Sequence, residues 1–190
     1  MMPINAVLQL MRPSFRTVEF AVAQGRGRLY ARQALHRLKK KKLVLGVMRG
    51  WWAKPDALPE QAAPIISYPA YLSFHSAIYL HQLTTQIPRT VQLAIARKAK
   101  KYSVMGTPVE EYGLPKGMFG GYEVKDGVPL AGAEKAFADC LKIPRACPLM
   151  VLAEAFPELD EGKILAFCTN AMKRRLASVK RMAARNKEGV

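Results

Sequence analysis

The amino-acid sequence predicts an α+β fold divided into two domains. Residues 1–54 contain three helix-like segments followed by two short strand-like runs, whereas residues 70–190 place strand-like runs before most of the helix-like ones. Between these regions Pro55, Pro59 and Pro64 alternate with acidic residues, so we expect residues 55–69 to form a linker. With 190 residues, half of them hydrophobic, the chain is long enough to bury a core in each domain.

The first two predicted helices are short. "INAVLQLM", Ile4 to Met11, has apolar residues at i, i+3, i+4 and i+7, which is one face of a helix, and Pro13 ends it. A second helix begins at Thr17, a suitable N-cap, and closes at Gly25. We expect Val18, Ala21 and Val22 to form the inward side of this second helix.

A third helix and a hairpin complete the N-terminal domain. The helix runs from about Arg28 to Lys41, with the inward stripe Ala31, Ala34, Leu35 and Leu38. "LVLGVM" then predicts a strand, "RG" a tight turn and "WWAK" a returning strand, with one tryptophan inward and the other outward. Helix, helix, Gly-containing turn, helix and hairpin is the order of a winged helix-turn-helix.

The net charge of +16 is concentrated at the two ends of the chain. Residues 1–54 hold 12 Lys/Arg and one acid, residues 55–170 hold 11 and 12, and residues 171–190 hold seven and one. This asymmetry indicates a polyanionic partner, and because the basic segments lack a strong apolar face, nucleic acid is favoured over a membrane surface.

Three features point to the cytoplasm. The three cysteines show no CxxC spacing and are typical of free thiols. The N-terminus lacks the layout of a signal peptide, and no apolar run is long enough to cross a bilayer. We therefore expect a cytoplasmic protein without a membrane partner, and we expect no cofactor.

The third helix carries most of the candidate DNA-binding residues. With its apolar stripe inward, polar and basic side chains occupy the outer face, where Arg can pair with guanine and Gln with adenine. Recognition helices use their N-terminal residues on base edges, which favours Arg28, Arg32 and Gln33, and Arg49 lies at the tip of the hairpin. The predicted DNA-binding residues are Arg26, Arg28, Tyr30, Arg32, Gln33, His36, Arg37, Lys40 and Arg49. The lysines at 39–42 suit a helix C-terminus whether or not DNA is present, and charged helix faces are commonly plain solvated surface.

The second domain is predicted to begin with a helix over about 70–83 and a strand over 90–96. Short strands are expected near 102–105, 109–112 and 121–124, and helices near 131–141, 149–155, 160–170 and 171–185. The last helix has Met172, Leu176 and Val179 inward and a basic outer face, which is either solvated surface or a second contact for a polyanion.

With these segments in view, the chain resembles the AbiEi-type antitoxin and transcriptional-regulator family of type IV toxin–antitoxin systems. "ARQALHRLKKKKLVLGVMRGWW" resembles the recognition helix and wing of that family, and "YLSFHSAIYLHQLTTQIPRTVQLAI" and "LAGAEKAFADCL" resemble two segments of its second domain. The resemblance implies a DNA-binding repressor of its own operon that binds inverted repeats, and a second domain directed against a nucleotidyltransferase-like toxin. One departure is that Lys41 and Lys42 replace the usual glycine after the recognition helix, so the helix is expected to run longer there.

Two other functions fit parts of the sequence. The same charge would suit an RNA-binding or ribosome-associated protein. Glu123 and Lys125 form the E-x-K pattern of Mg²⁺-dependent nucleases, which needs a further acid, and Glu110 or Glu111 is the available candidate. His75 and His81 are six residues apart, which does not suit a helical zinc site, and Lys135–Asp139 is the spacing of an i,i+4 surface pair. We therefore expect no catalytic and no metal-binding residues.

Overall fold

The computed structural model describes residues 3–188, with side chains to residue 185, and the chain forms two compact units. The first extends to Tyr68 and includes Ser103–Thr107, and the second comprises Pro69–Tyr102 and the chain from Pro108 onward. The protein is a mixed α+β structure with helices near its N-terminus and a run of helices at its C-terminal end. The α+β class predicted from the sequence is confirmed at this level.

The first unit contains a small antiparallel sheet against helices. Its elements are α1 (Ile4–Leu10), β1 (Ser14–Arg16), α2 (Thr17–Gln24), α3 (Arg28–Lys40), β2 (Leu45–Met48), β3 (Trp51–Ala53) and α4 (Pro59–Ile66). The strand order is β1-β3-β2, and Phe15 pairs with Trp52 in the central register. The helices α1, α2 and α3 and the hairpin lie where the sequence predicts them, whereas β1 was not predicted.

The inward face of α2 differs from the prediction. Val18 and Val22 are 45% and 77% exposed, and Phe20 is fully buried instead. Thr17 explains the difference, because its hydroxyl accepts a hydrogen bond from Trp52 Nε1 (2.9 Å) and is buried with it. A polar anchor at the first residue of the helix thus sets its rotation, which a count of apolar residues does not detect.

The segment 55–69 is not a linker. Eight of its residues form α4, and Ala62 and Ala63 are fully buried. Pro59 occupies the first turn of the helix, and the Gln61 side chain accepts a hydrogen bond from the Leu58 amide (3.0 Å). The prolines that suggested a flexible connection therefore begin a helix that belongs to the first unit.

Helix α3 ends within one residue of its predicted end and does not run longer. Lys42 adopts the left-handed conformation (φ 58°), its amide donates to the Lys39 carbonyl (3.0 Å) and the Leu43 amide donates to the Leu38 carbonyl (3.0 Å). This pair of hydrogen bonds is the Schellman motif, which usually has glycine at the left-handed position. A lysine therefore terminates the helix in the place where glycine is normally found.

The second unit is built on a mixed sheet with the strand order β6-β7-β5-β4-β9-β8, although Ser103–Thr107, where β6 leads into β7, belong to the first unit. Its elements are β4 (Ala70–Leu72), α5 (Phe74–Leu80), β5 (Val91–Ile95), β6 (Lys101–Val104), β7 (Thr107–Gly113), β8 (Tyr122–Lys125), β9 (Val128–Ala131), α6 (Ala133–Lys142), α7 (Leu149–Ala155), α8 (Glu161–Ala166) and α9 (Asn170–Glu188). Strand β4 is antiparallel to β5 and parallel to β9, and β5 is parallel to β7.

Two sequence predictions for this unit are corrected. The helix expected over 70–83 begins only at Phe74, because Ala70–Leu72 form β4, a buried strand between β5 and β9. The helix expected over 160–170 ends at Ala166. The strands near 102, 109 and 121 and the helices α6, α7 and α9 agree with the prediction within a few residues, and Met172, Leu176 and Val179 are buried as expected.

Candidate nucleic-acid interface

One flank of α3 and the β2–β3 hairpin enclose a concave surface of about 670 Å³ in the first unit. Four of the side chains that line it are cationic, namely Arg28, Arg32, Lys39 and Arg49. We call this surface the α3 groove. Leu29, Met48 and the two tryptophans supply its apolar lining. The groove therefore combines four cationic side chains with an apolar, partly aromatic wall.

Helical periodicity explains why these side chains converge. At 100° per residue, Arg28, Arg32, His36 and Lys39 lie within a sector of about 80° on α3. The adjacent side of the helix, centred about 110° from this sector, carries Ala31, Ala34, Leu35 and Leu38, which are all buried. The core contacts of that side fix the rotation of the helix and so turn the basic sector toward the hairpin.

Trp52 connects the groove to the core of the unit. It is 6% exposed, its indole N–H donates to Thr17, and its ring meets His36 edge-on with centroids 5.3 Å apart. Trp51 is only half-buried, and the Arg16 guanidinium lies 5.6 Å from its ring centroid. The prediction that one tryptophan points inward is confirmed. His36 was predicted to contact DNA, and its ring also packs on the wall of the groove.

Lys39 is a groove residue that sequence reasoning missed. A Cβ placed on Gly46 would lie 3.3 Å from Lys39 Nζ, so the absence of a side chain at Gly46 lets the lysine lie across β2. In the sequence it is one of four consecutive lysines at a helix end. Its place eleven residues after Arg28, close to three helical turns, was the signal that could have identified it.

The other predicted residues lie outside the groove. Gln33, Arg37 and Lys40 are exposed on the outer face and far flank of α3, whereas Arg26 is in the turn before the helix. The Arg26 guanidinium lies 5.7 Å from the ring centroid of Tyr30, which is 37% exposed. The structure thus divides the predicted set, placing Arg28, Arg32, His36 and Arg49 in the groove and the other five residues beside it.

No carboxylate neutralises this surface within residues 3–54. Glu19 is the one acid there, and its carboxylate accepts a hydrogen bond from the Arg16 amide at the start of α2 (2.5 Å). An acid in this place stabilises the helix by capping a free N–H and by opposing the helix dipole. The single negative charge of this segment thus stabilises the start of α2, and the described lining of the groove contains no Asp or Glu.

The nuclease pattern does not assemble into a metal site. Glu123 and Lys125 are exposed on β8, whereas Glu110 and Glu111 are on β7. Four strand spacings separate β8 from β7, which is about 19 Å, so these acids cannot share one Mg²⁺ ion. The carboxylate of Glu111 is also occupied, because it accepts two hydrogen bonds from Arg97 (2.8 and 2.9 Å).

Glu110 is likewise held by neighbouring donors. Lys101 Nζ donates to it at 2.7 Å and the Tyr112 hydroxyl donates at 2.6 Å, and these hydrogen bonds lower the pKa of Glu110 below its usual range. Burial, together with the same carboxylate, raises the pKa of Tyr112. Both groups are therefore tied into the sheet and are poor candidates for the catalysis of proton transfer at neutral pH.

The histidines of the second unit make structural contacts. His75 Nε2 donates to the Gln86 carbonyl and His81 Nε2 donates to the Ala131 carbonyl, each at 2.8 Å. Burial lowers the pKa of His75, so the neutral ring is favoured. In the part of the chain that the structure describes, no group of three or more His, Cys, Asp and Glu side chains could hold a metal ion.

Lys135 and Asp139 do not form a surface pair. Lys135 is 4% exposed and Asp139 is fully buried, and their side chains form an ion pair inside the second unit. Asp139 also accepts hydrogen bonds from the Ser73 hydroxyl (2.7 Å) and the Tyr71 hydroxyl (3.3 Å). The spacing correctly indicates an i,i+4 contact. The pair is buried because α6 packs onto the sheet and α5, and the local sequence pattern gives no information on that packing.

Comparison with known proteins does not assign the chain to a family. No family model matches it, and no curated protein matches its sequence at a significant level. Within residues 3–188, no helix combines the length and the apolar character needed to cross a bilayer.

Proposed function

We propose that the first unit is a winged helix-turn-helix domain that binds duplex DNA. Helices α2 and α3 are joined by the three residues Gly25–Arg26–Gly27, which is the length and composition of a helix-turn-helix connection. The hairpin that follows, with Arg49 and Gly50 at its turn, has the position of a wing. In the strand order β1-β3-β2 the hairpin pairs with β1, the additional strand that precedes α2, and this pairing holds the hairpin in place.

The observation that carries this proposal is the α3 groove. Arg28, Arg32, Lys39 and Arg49 converge on one surface, and no carboxylate of residues 3–54 compensates them. In our proposal α3 enters the major groove, where Arg32 and Gln33 contact base edges. Arg28, Lys39 and Lys40 bind phosphates, and Arg49 contacts the backbone or the minor groove.

Duplex DNA fits this surface better than duplex RNA. The major groove of B-form DNA admits an α-helix, whereas that of A-form RNA is too deep and narrow for side chains to contact base edges. The candidate residues lie on an exposed helix rather than on a sheet with aromatic side chains for stacking. An RNA-binding protein is therefore the second candidate, and the nuclease is not proposed.

The resemblance to AbiEi-type antitoxins extends the proposal to a biological role. We infer that the protein is a cytoplasmic, non-enzymatic transcriptional regulator that represses its own operon at inverted repeats. The second unit would then act as the antitoxin domain against a nucleotidyltransferase-like toxin. Identification of the neighbouring gene tests this wider role separately from DNA binding.

The DNA-binding proposal is tested by selecting sequences from genomic DNA with the full chain and then measuring affinities by fluorescence anisotropy. Replacing Arg32 and Gln33 with alanine should remove the preference for the selected sequence, at about 1–3 kcal/mol for each lost base contact. Replacing Lys40 should weaken binding to all duplexes alike and reduce the slope of log K against log salt by about 1.

The matched control is Lys125→Ala, which removes one exposed cation from β8 of the second unit. This change should leave both affinity and sequence preference as in the parent. The proposal is refuted if the Arg32/Gln33 variant selects and binds the same sequences as the parent. Tighter binding of duplex RNA than of the selected DNA at equal salt would transfer the function to the second candidate.

A further inference from the structure

The C-terminal helix α9 has an apolar face buried in the core of the second unit. Met172, Leu176, Val179 and Ala183 are each at most 6% exposed and form part of that core. The helix has 19 residues and is about 28 Å long. Because its apolar side is already occupied, any partner of α9 must bind the outward side.

The outward side of α9 carries a row of arginines. Arg174, Arg181 and Arg185 are exposed and follow one another at i, i+7 and i+11, which places them within a sector of about 40°. The row extends about 16 Å along the axis. Lys173 is exposed beside it, and the exposed side chains of Ala177 and Ala184 are small enough to allow a partner to approach closely.

Two other cations of α9 are engaged within the unit and help to define the row. Lys180 Nζ is 2.8 Å from both carboxylate oxygens of Glu161, and Arg175 donates to the carbonyls of Pro144 (3.2 Å) and Cys147 (3.4 Å). Arg181 donates to the hydroxyl of Ser178 (3.2 Å), which carries no charge. Among the described side chains, Arg174, Arg181 and Arg185 form no ion pair with a carboxylate.

We propose that this arginine row is a second nucleic-acid contact that binds the phosphate backbone without regard to sequence. Guanidinium groups form paired hydrogen bonds with phosphate oxygens, and duplex DNA presents a phosphate about every 1.7 Å of its axis, so a straight row of arginines meets several of them. The inference goes beyond the proposed function, because it requires no contact from α3 or the wing.

The composition of the face favours nucleic acid over an anionic membrane. A helix that binds a bilayer surface inserts an apolar face into it, and the apolar face of α9 is buried in the protein core. The described outward residues of α9 include no large apolar side chain. An acidic protein partner would need its own row of carboxylates facing these arginines, and the test below includes the outcome in which such a partner is preferred.

The test uses the full chain and a labelled duplex of random sequence, so that base recognition contributes nothing. The variant Arg174→Gln/Arg181→Gln/Arg185→Gln should lower the magnitude of the slope of log K against log salt by about 3, and it should weaken binding at about 0.1 M salt by two to three orders of magnitude. The control Lys98→Gln/Lys116→Gln/Lys125→Gln removes the same charge from exposed positions outside α9 and should retain most of the affinity.

A second variant separates contact from folding. The changes Arg174→Lys, Arg181→Lys and Arg185→Lys keep the charge and should preserve the salt slope, while circular dichroism should show unchanged melting for all variants. Equal losses in the glutamine triple and in the Lys98/Lys116/Lys125 control would overturn the proposal, because net charge alone would then explain binding. The proposal would also be overturned if polyglutamate competed as strongly as unlabelled duplex. Binding to phosphatidylserine vesicles without binding to the duplex would overturn it as well.

The outcome is distinguishable from that of the DNA-binding proposal. Loss of sequence preference through Arg32 and Gln33 tests α3, whereas loss of affinity for random duplex through the arginine row tests α9. In one outcome the α9 glutamine triple leaves binding to random duplex unchanged while the Arg32/Gln33 variant loses its sequence preference. In that case the arginine row has no role in binding, and the proposed role of the α3 groove stands.

Discussion

Removal of the Asp139 carboxylate should be among the most damaging single changes in the second unit. Asp139 is fully buried and accepts hydrogen bonds from Lys135, Ser73 and Tyr71. Lys135 is 4% exposed, and in Asp139→Ala its ammonium keeps the Tyr71 hydroxyl (3.0 Å) as a hydrogen-bond acceptor but has lost its counter-charge. Breaking a buried pair in this way costs about 3–5 kcal/mol because a desolvated charge loses its counter-charge.

The reciprocal change should be milder and should depend on pH. In Lys135→Met the carboxylate keeps the Ser73 and Tyr71 donors and can also take up a proton. Burial already raises the pKa of Asp139, and removal of the opposing lysine raises it further. An acid whose folded pKa exceeds its unfolded value of about 3.9 binds protons more tightly when folded, so Lys135→Met should lose stability as the pH rises from about 4 toward neutrality.

Urea denaturation followed by far-UV circular dichroism measures these differences. For a slope of about 2 kcal/mol per molar urea, a loss of 3–5 kcal/mol moves the midpoint of the second unit by about 2 M. Both tryptophans are in the first unit, so their fluorescence identifies the transition of that unit separately. A cost below about 1 kcal/mol for Asp139→Ala would refute the argument, and the double change Lys135→Met/Asp139→Leu should recover most of the loss.

Two further predictions concern helix ends. Glu154 accepts hydrogen bonds from the Thr84 hydroxyl (2.7 Å) and the Thr85 amide (2.9 Å), and together with further hydrogen bonds these outweigh burial and lower its pKa. Glu154→Gln should therefore cost about 1–2 kcal/mol at neutral pH. In a pH titration of stability the difference should begin to fall as the pH drops below about 4 and should disappear only below the lowered pKa of Glu154. Gly25 and Lys42 both have φ near 60°, so Gly25→Ala should lower the free energy of unfolding of the first unit and Lys42→Gly should raise it, each by about 1 kcal/mol. Thermal melts of the two variants measure this, and shifts of the same sign would contradict it.

The first unit could be predicted well where the signal is local. The apolar stripe of α3 and the left-handed residue Gly25 depend on neighbours within one helix or one turn, and the structure confirms both. Strand β1 has three residues, which is too short for a periodic pattern. It is defined by its pairing with β3, whose residues lie 35 to 39 positions further along the chain. Such pairing is a tertiary property that alternation of polar and apolar residues cannot reveal.

The second unit shows the same limit more strongly. Tyr71 continues the apolar helical pattern of the residues after it, yet it lies in a central strand that is buried on both sides, where periodicity carries no information. Lys135 and Asp139 have the spacing of a solvated pair, and only the fold places them in the core. The E-x-K pattern failed for the related reason that the required acids are on a distant strand of the same sheet.

The run of four lysines after α3 shows how one local pattern serves separate purposes. Lys39 lies in the α3 groove, Lys40 is exposed beside it, Lys41 caps the helix and Lys42 takes the left-handed conformation that ends it. A run that acted only through its total charge would tolerate exchange of these positions. A Cβ at residue 46 would lie 3.3 Å from Lys39 Nζ, so a side chain there would press on Lys39 and would not touch the other three lysines. We therefore expect the contribution of the run to the proposed DNA binding to depend on position, with Lys39 and Lys40 carrying it and Lys42 determining where the helix stops.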